Sequence, residues 1–199
     1  MIKKKKSLLL FILLYFFYHS NVLAIDPEIF VQPTVNRASK ILAEDISKQK
    51  KMQELQNIAR DTVDIKGIGF YTLGPVRKTL NDSEKSKYAS LFEQYFLKSF
   101  SSRLAEYTNP EIDVVSKEVL NDKYTIVNSI LKSTKDRPEI KIDWRIYTKN
   151  PDKPLIRDLI IEGLSLARTQ KEEFNSVLQS NDNNIEKLFE TLVLFIKSE

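Results

Sequence analysis

The sequence predicts an α+β fold in which helices precede and follow a twisted antiparallel sheet of four strands. Apolar residues recur every three or four positions up to about residue 107, which is the spacing of amphipathic helices. From about residue 111 to 162 they alternate with polar residues, as in strands with one buried face. Helical spacing then returns after residue 164, and this order of elements is typical of the α+β class.

The first half of the chain is predicted to be helical. Residues 33–64 have apolar positions at three- and four-residue steps, which predicts one or two amphipathic helices. Residues 66–75 contain three of the four glycines, which predicts a bend between helical pieces. A long helix follows, with N-cap oxygens available at residues 81–83 and an end near Tyr107.

The long helix carries an apolar stripe that is mainly aromatic. Such a stripe predicts either part of a hydrophobic core or the wall of an apolar cavity, and periodicity alone does not distinguish the two. The members of the stripe are Tyr88, Leu91, Phe92, Tyr95, Phe96, Phe100, Leu104 and Tyr107.

The second half of the chain is predicted to form the sheet and two further helices. Short links rich in Asn, Asp and Pro join the strands, which favours an antiparallel meander. In the third strand, apolar residues at every second position from Ile140 to Ile146 share one face. The strands are predicted at residues 111–119, 123–132, 139–148 and 155–162, and the helices at residues 164–179 and 183–196.

The first 24 residues predict export from the cytoplasm. Four lysines at positions 3–6 precede an apolar run at residues 8–18, and Val22-Leu23-Ala24 supplies a cleavage site. An uncleaved anchor is the alternative, but the run is shorter than the roughly 20 residues of a spanning helix. We therefore expect residues 1–24 to be a cleaved signal peptide and residues 25–199 to form one domain.

Removal of the signal peptide changes the charge and the chemistry of the chain. The signal peptide carries four of the 31 lysines and arginines and none of the 27 acidic residues, so the mature chain is balanced in charge. Nucleic acid is therefore not an expected partner, because proteins that bind it normally have a basic excess. The signal peptide also carries His19, the only histidine, and the chain has no cysteine. These absences exclude His-dependent nucleophiles and His/Cys zinc sites, so we expect no catalytic residue, no metal and no cofactor.

Three polar residues define the alternative of an exported enzyme. Asp158 and Glu162 lie four apart on a predicted strand and would share a face, as the two carboxylates of a glycosidase do. Ser165 lies in a degenerate nucleophile elbow after Gly163. The simpler interpretation is an ion-paired strand face followed by a helix cap, with Gly163 in the turn and the Ser165 hydroxyl as the cap.

Two sequence blocks resemble a known family. The stronger block is Ile-Asp-Trp-Arg-Ile-Tyr at residues 142–147, then Arg-Asp-Leu-Ile-Ile-Glu-Gly-Leu-Ser-Leu at residues 157–166, then Phe174. The weaker block is Leu-Gly at residues 73–74 followed by Arg77. In order and spacing these residues resemble the MlaC family of periplasmic phospholipid carriers. The chain departs from the family at Gln170-Lys171, where a Tyr-Arg pair is usual.

The resemblance implies an NTF2-like cone with additional helices and an apolar cavity between the sheet and the helices. It further implies a periplasmic, non-enzymatic carrier that shuttles phospholipid between an outer-membrane lipoprotein complex and an inner-membrane ABC transporter, and we expect a monomer. An exported NTF2-like enzyme and a non-lipid interaction module are the alternatives. The predicted lipid-binding residues are Ile68, Phe70, Leu73, Phe92, Tyr95, Phe96, Val127, Ile142, Trp144, Ile146, Leu159, Ile161, Leu164 and Phe174.

Overall fold

A computed structural model describes residues 25–198 of the protein. The predicted signal peptide of residues 1–24 lies outside the described residues and stays a prediction. Within residues 25–198 the order is helices, then an antiparallel sheet, then helices, which confirms the predicted α+β class.

In the part of the chain that the structure describes, the elements before the sheet are four α-helices and one 3-10 helix. The first helix begins at Pro27 rather than at the predicted Pro33, because the Asp26 carboxylate caps it by accepting a hydrogen bond of 3.0 Å from the Glu28 N–H. The elements are α1 (Pro27–Ala43), α2 (Lys48–Thr62), α3 (Ile65–Thr72), the 3-10 helix (Gly74–Lys78) and α4 (Asp82–Leu104).

The bend predicted at residues 66–75 is wrong, since this segment is mostly helical. The Asp64 carboxylate starts α3 by accepting from the Gly67 N–H at 2.8 Å. Gly69 permits close packing, because a Cβ at this position would lie 2.7 Å from the Phe92 ring. Of the three glycines in this segment, only Gly74, with φ of +56°, has the left-handed conformation that ends a helix.

The start of α4 agrees with the prediction, whereas its end does not. Asn81 is the N-cap, and its side chain and that of Glu84 each accept a hydrogen bond from the other's main-chain N–H, at 2.9 and 2.8 Å. The helix ends at Leu104, three residues before the predicted Tyr107.

The sheet has five strands in the order β1-β2-β3-β4-β5, not the four that were predicted. The additional strand pairs Leu164 and Ser165 with the end of β4, after a turn in which Gly163 has φ of +81°. The next helix therefore begins at Leu166, with Ser165 as its N-cap. The elements are β1 (Ile112–Asn121), β2 (Tyr124–Leu131), β3 (Ile140–Tyr147), β4 (Leu155–Ile161), β5 (Leu164–Ser165), α5 (Leu166–Gln179) and α6 (Ile185–Lys197).

The helices approach the sheet most closely at the strands toward its two edges. Helix α1 packs against β1 and β2, and α3 and α5 pack against β4. Helix α4 packs chiefly on α2, α3 and α6. The core contains Tyr88 and Phe92 of α4 together with Phe189 of α6, Val127 of β2 and Ile146 of β3.

Tyr88 is buried in the core and is hydrogen-bonded to Thr72 at 2.8 Å. The Thr72 hydroxyl donates to the Gly69 carbonyl oxygen at 2.6 Å, so the Tyr88 hydroxyl donates to Thr72. Burial raises the pKa of Tyr88 above its ordinary value, because the phenolate would be poorly solvated in the core.

This raised pKa predicts a loss of stability in alkali. Above the unfolded pKa of about 10, the unfolded chain releases a proton that Tyr88 retains in the fold, so the unfolding free energy falls by up to about 1.4 kcal/mol per pH unit. We expect the Tyr88→Phe variant to lose about 1 kcal/mol at neutral pH, for the missing hydrogen bond, but to decline less steeply above pH 10. Urea unfolding between pH 7 and 11 measures both effects, and parallel profiles for the two proteins would contradict the assignment.

Candidate functional site

The predicted lipid-binding residues of the sheet lie in rows that cross the strands. Val127, Trp144 and Leu159 are register partners on β2, β3 and β4. Ile142 and Ile161 form the next row on the same face, because alternate residues of a strand point to the same side. The structure therefore brings these separate sequence blocks into one apolar surface, which we call the inner face.

The predicted residues of the helices form a second group around Phe92. Its ring centroid lies 6.2 Å from that of Tyr95, 6.1 Å from that of Phe96 and 6.2 Å from that of Phe174. Such distances are those of favourable aromatic pairs. The Tyr95 hydroxyl donates to the Gln170 side-chain oxygen at 2.7 Å, and burial raises the pKa of Tyr95.

The fourteen predicted residues differ in how much of their surface is accessible. Seven are buried in the core, namely Ile68, Leu73, Phe92, Val127, Ile142, Ile146 and Phe174. Six are half-buried, namely Phe70, Tyr95, Phe96, Trp144, Leu159 and Ile161. Leu164 of β5 is exposed.

The centre of the inner face is less closely covered than its ends. Trp144 and Leu159 are half-buried, whereas Val127 in the same row and the β3 residues Ile142 and Ile146 on either side of Trp144 are buried. A side chain in a close-packed interior retains almost no accessible surface. The half-buried pair thus marks the part of the inner face where apolar surface is still available.

The polar atoms on this part of the sheet are already hydrogen-bonded. The Trp144 indole N–H donates to the Ser129 hydroxyl oxygen at 2.8 Å. That hydroxyl donates to the Ile142 carbonyl oxygen at 2.9 Å, and Ser129 is buried. The surface presented by Trp144 and Leu159 is therefore apolar, and it suits a hydrocarbon ligand better than a polar one.

Other half-buried apolar residues pack against the same core and were absent from the predicted lipid-binding set. Phe100 continues the aromatic stripe, and its ring stacks on Phe96 with centroids 5.6 Å apart. Val114 of β1 is the register partner of Ser129 and extends the inner face by one strand. The stripe and the strand alternation contained the signal for both. Phe30 was missed because α1 begins six residues before its predicted start.

Asp158 caps a helix rather than forming a carboxylate pair with Glu162. One of its oxygens accepts from the Ser165 hydroxyl at 2.6 Å, and the other accepts from the Ala167 N–H at 2.9 Å. Glu162 lies in the turn after β4 with φ of +49° and is exposed, so the predicted shared face is wrong. Asp158 and Ser165 do meet, at the N-terminus of α5, where a negative charge is stabilising.

Within residues 25–198, no cluster of acidic, His or Cys side chains has the arrangement of a metal site. None of the helices there combines the length and the apolar character needed to cross a bilayer.

A surface depression of about 310 Å³ lies apart from the predicted lipid-binding residues. Its acidic groups are paired, because Glu93 lies 3.5 Å from Arg60 and Asp64 binds Arg157. It is lined by Arg60, Val63, Asp64, Ile65, Lys66, Glu93, Lys153 and Leu155. This largely charged lining is not that of a hydrocarbon site.

Comparisons with known proteins agree with the architecture. The family model described as MlaC protein matches residues 32–193 of the chain. A similar solved structure is a phospholipid-binding protein from Ralstonia solanacearum in complex with a phospholipid, with a TM-score of 0.73 and 19% identity. The match covers 86% of this chain and 97% of that chain, and it shows a shared fold. Comparison with curated proteins gives no match.

Proposed function

Because the chain belongs to the MlaC family, whose model matches residues 32–193, we propose that it is a periplasmic phospholipid carrier. The observation that carries the proposal is the inner face at β3, where Trp144 and Leu159 remain half-buried and offer accessible apolar surface. A fold similar to that of a phospholipid-binding protein supports it.

The acyl chains are proposed to lie between the inner face and the aromatic group of the helices. The half-buried side chains of Trp144, Leu159, Ile161, Phe70, Tyr95 and Phe96 would contact the lipid directly. The seven buried members of the predicted set would form the wall behind them, and Leu164 would lie at the rim. The headgroup would face water, because phosphate is costly to bury without a charged partner.

The energetics of this arrangement favour transfer by contact. Each buried methylene contributes about 0.8 kcal/mol, so two acyl chains oppose release into water by on the order of 20 kcal/mol. Release into solvent is therefore negligibly slow, and the lipid must pass directly to a partner that offers similar burial. The proposed partners are an outer-membrane lipoprotein complex and an inner-membrane ABC transporter. In this scheme ATP hydrolysis by the transporter sets the direction, and the carrier catalyses no reaction.

Native mass spectrometry with lipid extraction tests the proposal. The full chain would be exported in a bacterial host and the protein purified from the periplasm without detergent. We expect one diacyl phospholipid per chain in the intact complex. A lipid-free mass, combined with no uptake of phospholipid from vesicles, would overturn the proposed function.

The single tryptophan provides a second measurement, which locates the lipid. Trp144 is the only tryptophan of the chain, so all indole emission reports on the centre of the inner face. We expect phospholipid brominated in mid-chain to remove most of this emission, because bromine quenches an indole on contact. Unbrominated lipid is the control. Binding without quenching would place the acyl chains away from Trp144.

A further inference from the structure

The free edge of the sheet is half closed by a side chain. Strand β1 is the edge strand, and beside it the Gln32 side chain of α1 accepts from the Val114 N–H at 2.9 Å and donates to the Ile112 carbonyl oxygen at 3.2 Å. One amide group thus takes the place of a neighbouring strand at residues 112–114. A β-bulge follows, between Val114 and Ser116.

Beyond the bulge the edge is open. The register pairs Ser116 with Asn128 and Glu118 with Ile126. The Lys132 N–H donates to the Glu111 carbonyl oxygen. Because every second residue of a strand bonds to the same neighbour, the even-numbered residues of β2 direct their main-chain groups toward β1. Lys117 and Val119 therefore direct their main-chain N–H and C=O groups away from the sheet. Among residues 25–198 these four groups have no hydrogen-bond partner.

Three of the seven side chains along the open edge are apolar and exposed, beside the charged residues Lys117 and Glu118. Val115, Val119 and Leu120 are 53%, 70% and 44% exposed. Natural sheets normally protect such edges with a projecting charge, often a lysine. Here the Lys117 ammonium is bound by the Asp26 and Glu28 carboxylates of α1, so its charge is neutralised and drawn to the helix.

We propose that residues 115–121 of β1 bind an extended segment of a partner protein as a sixth strand. Strand addition supplies donors and acceptors at the spacing that Lys117 and Val119 require, which a lipid surface does not. The partner segment would place β-branched or other apolar side chains opposite Val119 and Leu120. This inference does not depend on the proposed lipid binding.

A second copy of this chain is a poor occupant of the edge. Two-fold antiparallel pairing centred on residue 117 places Lys117 opposite its own copy, and pairing centred on residue 118 does the same for Glu118. Like charges directly opposite each other destabilise a strand pair. Pairing centred on residue 119 would set Lys117 opposite Asn121, which lies beyond a register shift and is already paired with Tyr124, so the outward groups of Lys117 would stay unbonded. A heterologous segment avoids these conflicts.

A synthetic peptide with the β2 sequence Tyr124–Leu131, carrying one added lysine at each end, is a suitable probe because this sequence already pairs with β1. Amide hydrogen exchange of the exported protein would be measured by NMR with and without the peptide. We expect exchange at Lys117 and Val119 to slow by about tenfold or more, with Ser116 and Glu118 unchanged. No slowing at Lys117 and Val119 would overturn the proposal, and so would protein that dimerises through this edge in sedimentation experiments.

Two controls separate edge pairing from general adhesion. The Val119→Pro variant loses an outward N–H only, so we expect the fold to be kept and peptide affinity to fall about tenfold or more. In Glu118→Pro the lost N–H faces β2, so this matched variant should be destabilised. A peptide N-methylated at the amides that face β1 should not bind to the unsubstituted protein, and this control does not depend on whether the proline variants fold. Equal binding of the methylated peptide would overturn the proposal.

Discussion

The Leu159→Glu variant is expected to lose bound phospholipid completely while the chain stays folded. Leu159 is half-buried on the inner face beside Trp144, so without lipid its substituted carboxylate can remain partly hydrated. Bound acyl chains would remove that water, and an unpaired carboxylate in a hydrocarbon environment costs several kcal/mol or more. Native mass spectrometry measures the lipid, and Trp144 emission, which this variant retains, reports binding independently.

Matched variants on the same row of the sheet make the result specific. Val127 is fully buried, so Val127→Glu should unfold the protein rather than only empty it. Leu159→Met preserves apolar volume and should retain lipid. The proposed site is wrong if Leu159→Glu retains its phospholipid, or if it loses as much stability as Val127→Glu.

Replacement of Asp158 by alanine is expected to destabilise the protein by about 2 to 3 kcal/mol. The change removes the acceptor for the Ser165 hydroxyl and for the buried Ala167 N–H, and it removes a negative charge at the N-terminus of α5. It also removes the ion pair with Arg145, whose guanidinium lies 3.6 Å away. Urea unfolding at neutral pH measures the loss.

Glu162→Ala is the control for this prediction, because Glu162 is exposed and should change the unfolding free energy by less than about 0.5 kcal/mol. At temperatures where it stays folded, Asp158→Ala should still bind phospholipid. A stable Asp158→Ala protein that loses a hydrolytic activity would instead support the enzyme interpretation.

The helices and strands that could be predicted are those fixed by residues a few positions apart in the sequence. The alternation from residue 111 to 162 predicted four strands in the correct order, and the Asn and Ser caps predicted the starts of α4 and, to within two residues, of α5. The glycines of residues 66–75 misled the prediction. Gly69 is required by the nearby Phe92 ring, a contact between helices that no local pattern reveals.

The sequence suggested which apolar residues form the candidate site, but not which of them keep accessible surface. For the aromatic stripe of α4, which is usually part of a core, periodicity alone did not distinguish a core from a cavity wall. In the structure Tyr88 and Phe92 are buried, while Tyr95, Phe96 and Phe100 retain accessible surface. Spacing along a helix tells which residues share a face, but the neighbouring helices decide how much of that face is covered.

The sequence by itself determined the α+β order of elements, the resemblance to the MlaC family and the set of apolar residues from which the site is built. The tertiary structure decided that Trp144 and Leu159 keep accessible apolar surface on the inner face, that Asp158 caps α5, and that, among the described residues, part of β1 has an open edge. The reason is physical. Periodicity and capping depend on residues a few positions apart, whereas burial, pairing and free surface depend on segments that meet only after the chain folds.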